Sequence, residues 1–121
     1  MILGDRVDEI NAKINDRKEH EGMGINISIS DVKENEGMIE YHYVYTVEYK
    51  GVGSITLKGV LFGRDEPKDV VEQWKKNKKL DKEQTERLIN IINYLGSSHG
   101  TLIARVLNYR PPIVPPKIKV E

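Results

Sequence analysis

The residues of this 121-residue chain that could do chemistry are three histidines, two serines beside one of them, a Gly-x-Gly turn, a lysine run and a strand of tyrosines. His20, His42 and His99 lie far apart, in none of the short histidine or carboxylate spacings that hold a metal, so no metal site is expected. Ser97, Ser98 and His99 are consecutive, and neighbours on a helix point about 100° apart, so they cannot pair as nucleophile and base. Neither serine sits in a nucleophile elbow, and His99 reads as filling a helix face. Gly51 and Gly53 stand between two strands, with no helix after them to cradle a phosphate and no Gly-Lys-Ser/Thr sequence, so they are turn residues. Lys75, Lys76, Lys78 and Lys79 follow Trp74 and offer a nucleic-acid contact in principle. They read better as a cationic helix end that complements the helix dipole, with Asp81, Glu83 and Glu86 diluting the field. No set of acid, base, nucleophile or metal ligand emerges, so neither catalysis nor a cofactor is expected.

The tyrosines are the more telling pattern. In Ile39–Tyr49 the odd positions are Ile39, Tyr41, Tyr43, Tyr45, Val47 and Tyr49, four of the chain's six tyrosines on one strand face. Each buried phenol needs a hydrogen-bond partner that leucine would not, which suits a partly covered surface that binds something. The other reading is an aromatic ladder packed beneath helices.

Composition narrows the class. Nineteen Lys plus Arg balance nineteen Asp plus Glu, which provides no global field for a phosphate backbone, and nucleic acid is not favoured. The absence of cysteine removes disulfides and thiolate chemistry and fits a reducing compartment. Three apolar residues before Asp5 are too few for a signal peptide, and no later run approaches a membrane span, so a single cytoplasmic domain over residues 1–121 is expected.

Those side chains must be positioned by strands first and helices second. Ile25, Ile27 and Ile29 alternate over residues 25–33, a polar turn spans Glu34 to Gly37, and the aromatic strand follows. A glycine hairpin at residues 50–53 leads into Ser54–Phe62, where Gly59 shifts the alternation and suggests a bulge, giving a three-stranded meander. Pro67, behind Asp65 and Glu66 as cap candidates, opens a short helix with Val70, Val71 and Trp74 on one face. Asp81 and Gln84 have capping-box spacing and start a helix with Leu88, Ile91, Ile92 and Leu95 on one stripe. Gly96 and Gly100 predict a kink before Leu102, Ile103 and Val106 resume the stripe to about Tyr109, and the RPPIVPP segment predicts an extended exit. The first twenty residues fit a helix through Val7, Ile10 and Ile14, or a strand through Ile10, Ala12 and Ile14, with a local lean to helix.

This order of elements, with Lys58-Gly59-Val60-Leu61-Phe62 ending the last strand, Leu95-Gly96 midway in a long helix, Ala104-Arg105 beyond it and a proline-marked exit, resembles the SecB-type export chaperones. It is similar to their small archaeal relatives and to the SecB-like chaperones linked to toxin–antitoxin systems. The resemblance covers about residues 25–116, and it departs from the family where Thr101-Leu102-Ile103 replaces the usual Phe-Pro. It implies an α+β fold with a four-stranded antiparallel, meander-like sheet and C-terminal helices on one side, and a dimer of dimers. It also implies an ATP-independent holdase for unfolded polypeptides, including preproteins for export. A fourth strand is then expected over residues 8–17, despite the helical lean. Met23, Tyr41, Tyr43, Tyr45, Phe62 and Trp74 become the expected client-binding residues, because such side chains adapt to many sequences. An adaptor or antitoxin-type protein binding one partner is the alternative, and a nucleic-acid module comes third.

Overall fold

The computed structural model describes residues 1–17, 22–112 and 120. Four strands, β1 (Ile2–Ile14), β2 (Met23–Asn35), β3 (Met38–Tyr49) and β4 (Gly53–Gly63), precede two helices, α1 (Val70–Asn77) and α2 (Lys82–Val106). The strands form one antiparallel sheet in the order β1-β4-β3-β2. β2, β3 and β4 are the expected meander, and β1 returns beside β4, which makes the whole a Greek key rather than a four-strand meander. The N-terminal strand is present but occupies residues 2–14 rather than 8–17. Tertiary pairing with β4 decides this segment against its local helical lean.

The hairpins follow from their residues. Glu36 (φ 51°) and Gly37 (φ 80°) are both left-handed, the requirement of the two-residue turn whose twist matches the flanking strands. The expected bulge at Gly59 is not in β4, whose register with β3 is unbroken. It lies across the ladder in β1, where the pairing slips between Val7 and Glu9 opposite Gly59 and Lys58. Val60 and Phe62 lie on the sheet face away from the helices, since they pair with His42 and Glu40, in alternation with the helix-facing Tyr41 and Tyr43.

Two helix expectations are corrected. α1 begins at Val70 with Asp69 as a cap that makes no side-chain bond, while Asp65 adopts a left-handed φ of 54° and Glu66 turns inward. α2 is capped as its spacing predicts, Asp81 Oδ1 accepting from the Gln84 N–H at 2.8 Å, but it runs unbroken through Gly96 and Gly100. These glycines permit close approach rather than a kink: a Cβ on Gly96 would lie 2.4 Å from the Tyr45 ring. The RPPIVPP exit beyond Pro112 lies outside the described residues.

The core sits between the helices and the tyrosine face. Tyr41, Tyr43, Tyr45 and Tyr49 are all 0–1% exposed, with Ile55, Leu57 and Leu61 of β4 and Leu88 and Ile92 of α2 around them. The bulky sheet face is met by an inward helix face of small and polar residues, Gln84, Asn93, Gly96, Ser97 and Gly100, so large side chains oppose small ones. α2 packs on β2, β3 and β4, and α1 packs on β2. β1 is the least covered strand, with Ile10 57% exposed.

Candidate functional site

The structure separates the six expected client-binding residues. Tyr41, Tyr43 and Tyr45 are core, which corrects their placement on a contact surface. The phenols' demand for hydrogen bonds is met from inside. Tyr41 Oη donates to Glu66 Oε1 at 2.6 Å and accepts from Gln84 Nε2 at 2.8 Å. Tyr45 Oη lies 3.2 Å from Ser97 Oγ, and Tyr49 Oη donates to the Arg110 carbonyl at 2.6 Å. Tyr43 lies across Gly59, and its buried hydroxyl has no partner among the described residues. Burial, with Asp5 and Asp8 nearby, pushes that phenol up to about 12. Phe62 is on the far sheet face, beneath the Arg6 guanidinium 5.3 Å from its ring centroid. Trp74 is core as well, 7% exposed, which corrects its placement on an open contact surface, while Met23 lies half-buried on β2 against that core.

Sequence reasoning missed the buried Glu66 cluster. The Glu66 side chain is 2% exposed and accepts from Tyr41, from Arg87 Nη2 at 2.5 Å, from Gln84 Nε2 at 3.3 Å and from the amino group of Met1. Burial alone would raise its pKa, but the Met1 amino group, Tyr41 and the Arg87 guanidinium outweigh it and hold the carboxyl at about 2. Its only signal in the sequence is an acid just before Pro67, which reads equally well as a helix cap. The cluster ties the β4–α1 connection to β3 and α2, and its oxygens are fully engaged, so it organises the fold rather than offering a ligand site.

Several other polar groups are paired, although the buried Asn93 Oδ1 has no partner among the described residues. His99 Nε2 lies 3.2 Å from Asp5 Oδ2, linking α2 to β1 rather than only filling a helix face. Ser98 Oγ donates to the Tyr94 carbonyl at 3.0 Å. His42 Nε2 lies 3.1 Å from Glu40 Oε1 on the far sheet face. His20 lies outside the described residues. Among the described residues no group of three or more His, Asp or Glu is placed to hold a metal, and no helix is long and apolar enough to cross a membrane.

What the molecule offers is an open strand edge with a hollow beside it. Among the described residues β1 and β2 are the sheet's two edges, each with one side unpaired. The Lys50 N–H donates to the Gly22 carbonyl at 2.9 Å, so Gly22 turns its backbone groups toward β3. The alternation of an antiparallel ladder then leaves the N–H and C=O of Met23, Ile25, Ile27 and Ile29 facing outward from β2. Their side chains pack half-buried against the core.

At Ser28 and Ile29 this edge meets a hollow of about 220 Å³ whose other walls are Trp74, Lys78, Lys79, Leu80, Thr85 and Ile89. Trp74 reaches it from the last turns of α1, which stops at Lys78 in a left-handed conformation (φ 52°). Leu80 and Thr85 come from the capped start of α2, where Thr85 Oγ1 donates to the Leu80 carbonyl at 3.3 Å. Ile29 and Met23 are six residues apart, about 20 Å along a strand, so Met23 belongs to the same edge but not to the hollow. A larger depression of about 580 Å³ runs along Lys82, Glu83, Glu86, Arg87 and Asn90, but all five belong to one helix and carry both charges, so it is helix surface.

No family model matches the chain, and neither a curated protein nor a solved structure matches it.

Proposed function

We propose that the protein is an ATP-independent holdase that takes extended, non-native polypeptide along the free edge of β2 beside Trp74. The observation that carries this reading is the open edge of β2, with outward backbone groups at Met23, Ile25, Ile27 and Ile29, running into the Trp74 hollow. Strand addition supplies main-chain hydrogen bonds that any sequence can make, and a pocket beside the edge supplies an anchor. The magnitudes favour weak, reversible holding. One buried apolar side chain contributes about 1.5–3 kcal/mol and each new hydrogen bond about 0.5–1.5 kcal/mol. Both act against an association penalty of at least about 4 kcal/mol. Release by mass action then needs no hydrolysis, in keeping with the absence of a phosphate loop.

The SecB-type resemblance further implies a homo-oligomer built as a dimer of dimers. In support, the opposite edge strand β1 is unpaired on its outer side among the described residues and itself exposes Leu3 (44%) and Ile10 (57%), while α2 exposes Leu102 (62%) and Val106 (86%). Such an edge with apolar neighbours is a surface that assembly would cover.

The test is suppression of aggregation of several unrelated unfolded proteins without nucleotide, with molar mass by light scattering on the same preparation. Protection of all of them by an oligomer is expected. Protection of none, or of a single partner only, favours the adaptor reading. A stable monomer at micromolar concentration overturns the assembly.

A further inference from the structure

Resting on this docking reading, we infer that the β2-edge hollow selects extended segments in which one large apolar residue is flanked by aspartate or glutamate. The size of the hollow sets the anchor. About 220 Å³ lies below the roughly 300–1,000 Å³ of small-molecule sites and suits a single side chain. Its apolar walls, Ile29, Trp74, Leu80 and Ile89, give that side chain an apolar seat, while Ser28 and Ile29 hold it against the strand edge that would pair with the incoming backbone.

The rim sets the charge. Lys78 and Lys79 both line the hollow and are both exposed, and among the described residues neither takes part in an ion pair. No carboxylate is among the lining residues. Lys75 and Lys76 stand one turn back on α1, and the acids near in sequence, Glu72 and the capping Asp81, do not line the hollow, so its own rim is positive. A chain that carries acids beside its anchor brings them to unpaired ammonium groups, whereas one that carries lysines brings like charges together, and that difference discriminates even where each contact is weak.

The experiment uses two dye-labelled synthetic peptides with a Thr/Val frame and one central Phe, flanked by Glu in one and by Lys in the other. Binding is followed by anisotropy and by the fluorescence of Trp74, the only tryptophan. The Glu peptide is expected to bind about tenfold tighter in low salt, the gap narrowing as salt screens the charges. The variant Lys78→Asn/Lys79→Ser removes both charges and retains the fold, since Asn tolerates the left-handed conformation at the helix end. In it the two peptides should bind alike. Equal or tighter binding of the Lys peptide to the unaltered protein, or a preference that survives in the variant, overturns the acid selectivity while leaving docking intact. If neither peptide binds although aggregation is still suppressed, the hollow is not the dock. Loss of aggregation suppression altogether would instead overturn the holdase reading.

Discussion

Replacing Glu66 with glutamine is expected to destabilise the protein by about 3 kcal/mol at neutral pH, the largest effect of any single polar substitution in the chain. The carboxylate accepts from Tyr41, Gln84, Arg87 and the Met1 amino group while only 2% exposed, and an amide would turn a donor toward several of these donors. The value sits at the low end for breaking a buried pair because Arg87 is 35% exposed and can return to water. The pH dependence follows from the same group. Its folded pKa, about 2, lies below its ordinary 4.5, so its contribution is fully present above about 4.5 and is lost as pH falls toward 2. Urea melts at pH 7 and pH 3 should therefore differ more for the unaltered protein than for Glu66→Gln. Equal stability of the two proteins at pH 7 would show that the cluster does not hold the β4–α1 connection to the sheet.

Gly96→Ala is the second large effect, and its sign runs against helix propensity. Alanine in a helix interior is favoured over glycine by about 1 kcal/mol. Here the new Cβ would lie 2.4 Å from the Tyr45 ring, and Tyr45 is fully buried with its hydroxyl tied to Ser97, so neither side can give way easily. Overpacking at the top of its usual range, about 3 kcal/mol, should win, leaving the variant roughly 2 kcal/mol less stable after the propensity gain. At Gly100 a Cβ would stand 3.0 Å from the Pro112 side chain and 3.9 Å from Tyr45, so Gly100→Ala is expected to be close to neutral. Thermal melts of the two variants make the comparison. In a Tyr45→Leu background the Gly96→Ala penalty should shrink, as expected for residues in direct contact. A Gly96→Ala protein as stable as its parent would contradict the close helix–sheet approach.

The strands were legible because alternation reports on burial one residue at a time: Ile25, Ile27 and Ile29, then the tyrosines, then Ile55 and Leu57. The Asp81–Gln84 cap was legible because it is a local hydrogen bond at fixed spacing. What escaped depends on partners distant in sequence. β1 exists because β4 pairs with it; the alternation of Ile10, Ala12 and Ile14 permits a strand, but the local pattern leans to a helix until that pairing is made. Gly96 reads as a weak point in an isolated helix and becomes a contact only when Tyr45 is placed beneath it. The phenols looked ill suited to a core because their partners, Glu66, Gln84 and Ser97, lie 25 to 52 residues away from the tyrosines they bond. A helix face that mixes Gln84, Gly96, Ser97 and Gly100 with leucines was the available sign that it meets something large and polar. Of the expected site residues, Met23 alone lies on the edge strand, Trp74 being buried in α1 beside it, and no local pattern marks an edge strand from a central one.

The most direct measurement of the docking claim is amide hydrogen exchange of the labelled protein with and without a saturating unfolded client. The N–H groups of Ile25, Ile27 and Ile29 face outward from β2, while those of Gly24, Asn26 and Ser28 already bond β3. Strand addition predicts that client binding slows exchange at Ile25, Ile27 and Ile29, with little change at their neighbours and a shift in Trp74 fluorescence. Protection confined to β1 or to the exposed flank of α2, with the β2 edge unchanged, would contradict it.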